Sequence, residues 1–296
     1  MRTIVMTGAT SGIGAAALKH FTELPDTNIF IGVRSNKHDV QPGTQVLPLD
    51  LSSLKSVRAF ADSIKQHLGD GKINILVLNA GIKATDNKQL SEEGFELTFA
   101  TNHLAHYLLA RLFLPNMARD SKIVITTSDA HDPAVIPFGP KTLNIAELAY
   151  PTENSPKGMA FYGATKLCNL LTANALKLKV EAERNISVIA FNPGLTGDTS
   201  LMGKQSVPLK LIVSIIRPLF YMISFFKPAF FMGTAKRSGE ALSELAIGEV
   251  ALPEGSIYAS LVRGKLTFPN PSQLAQNNDL MNLLWKESAT MVGLPE

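Results

Sequence analysis

"TIVMTGATSGIGAAALKHFTEL" (residues 3–24) joins an apolar run, a glycine-rich turn and a second apolar run of different spacing. The first part, "TIVMTG" (3–8), is almost wholly apolar and reads as a buried strand. The last part, "IGAAALKHFTEL" (13–24), reads as a helix. Between them, Gly8, Gly12 and Gly14 allow a tight turn and close approach of the backbone to an anion. The helix N-terminus behind them offers N–H groups and a positive dipole end. Taken alone, these glycines also suit an ordinary turn, because short glycine patterns are weak signals. The strand before and the helix after favour a phosphate loop, with Thr10, Ser11 and Ile13 beside the glycines.

The alternation continues outward. "NIFIGV" (28–33), "TQVLPLD" (44–50), "INILVLNA" (73–80), "KIVITTS" (122–128) and "ISVIAFNPG" (186–194) read as strands. Helical patterns lie at 53–68, from Glu92 to Arg119, at 159–183, at Ala235–Ile247 and at Leu274–Met291; one more strand is expected near Ser256–Leu261. Strands without a polar face, separated by helices, imply a parallel sheet covered on both sides. The fold expected is α/β: a single-domain, Rossmann-type, doubly wound parallel sheet over residues 1–296. An apolar insert at about 200–233 interrupts it.

Composition narrows the function. Hydrophobic residues make up 45% of the chain and charged residues 18%, below the roughly 25% typical of soluble domains. A large core, or some apolar surface, follows. Net charge is +3 with no block of basic residues, so no nucleic-acid partner is expected. The single cysteine, Cys168, allows no intrachain disulfide and no cysteine-based zinc site, and the six histidines lack metal spacing, so no metal is expected. The N-terminal run has no signal-type stretch, which points to a cytoplasmic protein.

Further motifs fall at the strand ends in order: Asp50, followed by Leu51; Asn79, Ala80 and Gly81 in "NAG"; Asn102 in "TNHLAHYLLA"; Ser128; Tyr162 and Lys166 in "YGATK"; Pro193 and Gly194 in "NPG". Each alone is common; all of them, in this order, resemble the short-chain dehydrogenase/reductase family over nearly the whole chain. The resemblance implies that Asp50 and Leu51 hold an adenine and that Asn79, Ala80 and Gly81 flank its ribose. It implies that Asn102 steadies a water that relays protons to Lys166, and that Thr196 is a candidate for the nicotinamide carboxamide. It also implies pairing into a homodimer or homotetramer through helices flanking the sheet.

An NAD site places Asp or Glu about 20 residues past the glycine loop, on the ribose 2′-hydroxyl. Here Arg34 stands at that place, in "GVRSN". A guanidinium binds a 2′-phosphate through fork-like hydrogen bonds, whereas a carboxylate would repel it. The cofactor expected is NADP(H), with Arg34 and Ser35 or Ser11 at the phosphate.

Tyr162 and Lys166, four apart, share one helix face. A phenol has a pKa of about 10 and is a poor acid–base group near neutrality unless tuned; the neighbouring ammonium is expected to lower it. Tyr162 would then exchange a proton with the substrate oxygen while hydride moves, and Ser128 would steady that oxygen.

The long loop between Ser128 and Tyr162, with "TKLCNLL" and "LWKESATMVGL", resembles the retinol dehydrogenase and protochlorophyllide reductase branches. That implies an NADP(H)-dependent carbonyl/alcohol oxidoreductase acting on a hydrophobic small molecule. A light-dependent C=C reductase remains the second reading, and an NADP-binding sensor or scaffold without turnover a third. In the insert, "LIVSIIRPLFYMISFF" (211–226), Arg217 and Pro218 break the apolar run; a span needs about 20 apolar residues. A helical lid over an apolar substrate is the first reading. Peripheral membrane contact through 206–231 is the second.

Overall fold

The computed structural model describes residues 1–34, 42–84, 86–197, 221, 224–225 and 227–296, with 181–183 described in their backbone alone. β1 (Arg2–Thr7) lies inside the sheet, parallel to β2 (Thr27–Val33) on one side and to β4 (Ile73–Leu78) on the other. β3 (Thr44–Pro48), β5 (Met117–Thr126), β6 (Ser187–Asn192), β7 (Tyr258–Val262) and β8 (Lys265–Thr267) complete the described sheet, in the order β3-β2-β1-β4-β5-β6-β7-β8. The chain winds outward from β1 in both directions. The order reverses between β1 and β4; in sheets of this kind ligands bind at such a reversal, outside the C-terminal strand ends.

Alternation along each strand divides the core. Ile4 and Met6 of β1, with Ile75 and Val77 of β4, pack under α1 (Gly12–Thr22) and α7 (Ala235–Ile247). Val5, Leu76 and Leu78 face the opposite way. There they meet α2 (Leu54–Leu68), α4 (Ala105–Phe113) and α6 (Met159–Arg184). Burial on both faces explains why these strands carry so few polar residues. α1 and α7 pack closely because Gly239 has no side chain: a Cβ there would lie 2.6 Å from the Ile13 carbonyl oxygen.

Two expectations need correction. The helical pattern from Glu92 to Arg119 is shorter and irregular: α3 (Leu97–Phe99), a π-turn (Ala100–Leu104), α4, and a 3₁₀ turn at Leu114–Asn116. Pro115 cannot continue the helix, and Met117–Arg119 already belong to β5. The sheet is also not wholly parallel, because β8 runs antiparallel to β7. Arg263 and Gly264, with φ of 49° and 75°, form the two-residue turn between them; such turns match the twist of a hairpin.

α5 (Ile145–Ala149) lies in the long segment before α6. The last described helix, α8 (Asn278–Met291), lies against α6 and α4. Its Trp285 meets Tyr107 edge-on, with ring centroids 5.0 Å apart, under the Arg111 guanidinium at 4.8 Å and the Lys179 ammonium at 5.1 Å. Tyr107 donates to the Trp285 carbonyl at 3.1 Å. His103 Nε2 lies 2.8 Å from Ser288 Oγ. α8 thus covers these parts of α4 and α6.

Of the insert at about 200–233, only Tyr221, Ser224, Phe225 and 227–233 are among the described residues; most of "LIVSIIRPLFYMISFF" lies outside them. Tyr221 and Phe225 are exposed and stack edge-on, 5.3 Å between centroids, and Arg263 lies over Phe225. Among the described residues no helix is long and apolar enough to cross a membrane.

Candidate active site

The glycine turn after β1 is built by close approach. Gly8 and Gly12 have φ of 68° and 54°, conformations that suit glycine. A Cβ on Gly8 would lie 2.7 Å from Ala80 Cα, and one on Gly14 only 1.8 Å from the Gly8 carbonyl oxygen. Asn79 Nδ2 donates to that same carbonyl at 3.2 Å, so the 79–81 segment and the glycine turn form one unit. Thr10 and Ser11 are exposed and Ile13 partly so; no acidic residue stands in the first turn of α1. This is a backbone cradle suited to an anion.

At the edges of this cradle, Arg34 follows β2 with its side chain exposed. Ser35 lies outside the described residues. Asp50 is exposed, with Oδ1 accepting from the Ser52 amide at 2.9 Å and its hydroxyl at 2.7 Å; Leu51 is buried beside it. The segment carrying Glu92 and Glu93 clamps this corner. Glu93 Oε1 accepts from the Leu54 amide at 2.6 Å, and Glu92 accepts from the Ser53 hydroxyl.

Tyr162, Lys166, Ser128 and Asn102 converge at the ends of β4 and β5. Tyr162 and Lys166 project from one face of α6, and the Lys166 ammonium lies 5.6 Å from the Tyr162 ring centroid. Lys166 Nζ donates to the Thr126 carbonyl at 3.2 Å. A Cβ on Gly81 would lie 3.3 Å from Lys166 Nζ and 3.5 Å from Asn102 Oδ1, so this loop passes close to both. Asn102 sits in the π-turn and clasps the Ile82 backbone: Oδ1 accepts from its amide at 2.8 Å and Nδ2 donates to its carbonyl at 2.9 Å. Asn102 Nδ2 also donates to Thr165 Oγ1 at 3.1 Å. π-Turns inside helices occur often at functional sites.

Burial dominates the electrostatics. It lowers the Lys166 pKa to about 8. It pushes the Tyr162 phenol above its ordinary value, and hydrogen bonding to Ser128 works in the opposite direction. The lowered phenol expected from the Tyr–Lys spacing is therefore not produced by the folded chain alone. Both side chains are buried, and desolvation disfavours the phenolate more than the hydroxyl partner favours it.

Ser128 opens a short turn, Asp129–His131, and its Oγ accepts from the Ala130 amide at 3.2 Å. The turn fits against α6 because Gly163 follows Tyr162: a Cβ there would come within 2.2 Å of the Ala130 carbonyl oxygen. Burial raises the Asp129 carboxyl, which accepts from the Tyr258 hydroxyl at 3.2 Å. Beyond β6, Pro193 and Gly194 are partly buried, and Asn192 Oδ1 accepts from the Gly194 amide at 3.1 Å. Thr196 Oγ1 lies 3.2 Å from Ser238 Oγ and donates to the Gly194 carbonyl at 3.3 Å. Asp198 and Thr199 lie outside the described residues.

Several residues that organise the site have no motif to announce them. Thr7 Oγ1 accepts from the Asn79 and Ala80 amides at 3.1 and 3.2 Å. Thr126 Oγ1 donates to Asn79 Oδ1 at 3.0 Å. Ser238, on α7, donates to the Pro193 carbonyl at 3.0 Å. Their only signal in the sequence is position, next to strand ends. Among the described residues no group of three His, Cys, Asp or Glu side chains could hold a metal ion.

Comparison with known proteins bears on the fold and the family. Residues 2–138 match the family model described as short chain dehydrogenase. A protochlorophyllide reductase from Avena sativa is 27% identical, and the alignment covers 98% of this chain and 99% of that protein. The chloroplastic short-chain dehydrogenase TIC 32 B of Brassica napus is 37% identical over 65% of this chain and 63% of its own length. Among solved structures, an uncharacterised protein from Mycobacterium paratuberculosis superposes with a TM-score of 0.69, at 25% identity, over 99% of this chain and 94% of its own. The chain is similar to the short-chain dehydrogenases, an oxidoreductase family whose model its residues 2–138 match.

Proposed function

We propose that this protein is an NADP(H)-dependent oxidoreductase that interconverts a hydrophobic carbonyl compound and its alcohol. The observation that carries the reading is the convergence of Tyr162, Lys166, Ser128 and Asn102 beside a glycine cradle that a single Cβ would fill. Bound there, the nicotinamide would supply or accept hydride. Gly8, Gly12, Gly14 and the first turn of α1 would hold the pyrophosphate. Arg34, exposed at the end of β2, suits a 2′-phosphate. Asp50, Leu51, Asn79, Ala80 and Gly81 would line the adenosine side, and Pro193, Gly194 and Thr196 the nicotinamide side.

In reduction, Tyr162 gives its phenolic proton to the substrate oxygen as charge develops there. Ser128 donates a hydrogen bond to that oxygen and so stabilises it. Lys166, held by the Thr126 carbonyl, stabilises the phenolate left behind and holds the ribose hydroxyls. The phenolate is then reprotonated by a proton that solvent supplies, relayed past Asn102 to Lys166 and on to Tyr162. Oxidation runs through the same groups in reverse.

The decisive experiment is NADPH consumption against a panel of hydrophobic aldehydes and ketones. Tyr162→Phe should lower turnover by roughly 10²–10⁴-fold, the range for removing a positioned proton donor. Full turnover in that variant would remove the mechanism. Arg34→Ala should weaken NADPH far more than NADH; equal effects would remove the 2′-phosphate assignment. Near-full-length similarity to a protochlorophyllide reductase favours a second reading, reduction of a C=C bond. Light-dependent turnover of protochlorophyllide, without carbonyl reduction, would select it. NADPH binding with neither activity would leave a sensor or scaffold. The exposed Tyr221 and Phe225 beside Arg263 support peripheral contact with a membrane surface, which liposome partitioning with and without residues 206–231 tests.

A further inference from the structure

We propose that His106 is a positioning residue for this site: a neutral imidazole, protonated at Nδ1, that ties the end of β1, the 79–82 segment and the Asn102 turn into one hydrogen-bonded unit. The inference rests on reading those segments as cofactor and catalytic elements. His106 lies four residues after Asn102 and is 2% exposed. Its Nδ1 is 3.1 Å from the Asn102 carbonyl oxygen, and its Nε2 is 3.0 Å from Thr7 Oγ1.

The partners fix where the proton sits. Thr7 Oγ1 already accepts from two backbone amides, Asn79 and Ala80, and a backbone N–H can only donate. The lone pairs of the hydroxyl are thus used, and its own proton is left for the imidazole. Nε2 must be bare to receive it. A carbonyl can only accept, so Nδ1 must carry the ring proton to reach Asn102. The opposite tautomer would set two lone pairs against each other at Asn102 and crowd a third donor onto Thr7. An imidazolium would create the same crowding at Thr7. Burial, then the positive charge of Lys166, lower the His106 pKa to about 3; the Asn102 carbonyl opposes this, and His103 adds to the lowering.

The unit has functional reach. Thr7 precedes Gly8 of the cradle, Asn79 grips the Gly8 carbonyl, and Asn102 clasps Ile82 next to Gly81, where a Cβ would lie 3.3 Å from Lys166 Nζ. The imidazole therefore links the cradle to the neighbourhood of the catalytic lysine.

The test uses the full chain labelled with [¹⁵N]histidine and a long-range ¹H–¹⁵N correlation, the His106 signals being assigned from their absence in His106→Gln. The expected result is a protonated Nδ1 and a bare Nε2, unchanged from about pH 5.5 to about pH 8.5. An Nε2-protonated ring, or a titration midpoint inside that window, would overturn the proposal. In parallel, NADPH affinity is read from cofactor fluorescence. His106→Phe should weaken it roughly tenfold, the scale of one buried hydrogen bond left unmade; His106→Gln, which can still donate and accept, should recover part of that. Wild-type affinity in His106→Phe would also overturn it. Neither readout needs a substrate, so a failed search for a reducible carbonyl leaves both intact.

Discussion

Lys166 carries a charge that its surroundings resist. It is 2% exposed, its ammonium donates to the Thr126 carbonyl, and burial lowers its pKa from 10.5 to about 8. A cation whose pKa falls on folding weakens the fold below the folded value. That penalty lifts as pH rises from about 8 toward 10.5. Lys166→Met should therefore abolish turnover yet raise stability by about 1–3 kcal/mol near neutral pH, the loss of the Thr126 contact offsetting part of the gain. Denaturant midpoints of the two proteins should converge as pH rises from about 8 to 10.5. A variant less stable than wild type at pH 7 would contradict the burial argument. The same value sets the activity profile: reduction should decline as pH rises through about 8, because the neutral amine no longer stabilises the tyrosinate.

Glycines set the spacing between elements, at two places with different consequences. Gly239 lets α7 approach α1 behind the cradle, whereas Gly163 lets α6 approach the Ser128 turn. Gly239→Ala should cost about 1–3 kcal/mol through overpacking, with catalytic constants of the surviving fold little changed. Gly163→Ala, meeting the Ala130 carbonyl at 2.2 Å, should move Ser128 and lower kcat by more than tenfold, with a smaller effect on cofactor affinity. Equal loss of stability and unchanged kcat in both would refute the distinction. Much at this scale was legible in the sequence. The apolar strands and the Tyr–Lys spacing announce themselves because burial and helix periodicity leave local traces. The π-turn at Asn102 leaves none, since its residues look helical and its geometry comes from the clasp on Ile82. β8 is short and sits at an edge, so it shows little periodicity. Thr7, Ser238 and His106 act through partners distant in sequence, and their residue types are common. The phenol of Tyr162 was misjudged for a related reason: spacing reveals the nearby lysine but not the depth of burial.

Across the molecule, α8 holds together surfaces separated by long stretches of chain. Trp285 meets Tyr107, Arg111 and Lys179, while Arg58 donates to the Val292 carbonyl. Trp285→Ala should cost about 3–5 kcal/mol, as for large core aromatics, read as a lower denaturant midpoint. It should also raise self-association in sedimentation, because the apolar stripe on α4 and α6 would be uncovered. A variant that stays as stable and as dispersed as wild type would show that α8 is only an ornament on this face.

The same seam governs how the chain reaches its native state. The bond between Tyr107 and the Trp285 carbonyl closes a loop of 178 residues. Contacts of such separation form slowly, since the loop must close before they contribute. An intermediate with the sheet formed and α8 still undocked would show a greasy strip to its neighbours. Refolding yield should then depend on protein concentration, rising on dilution, and a separate peptide spanning residues 278–296 should rescue the yield by occupying the strip first.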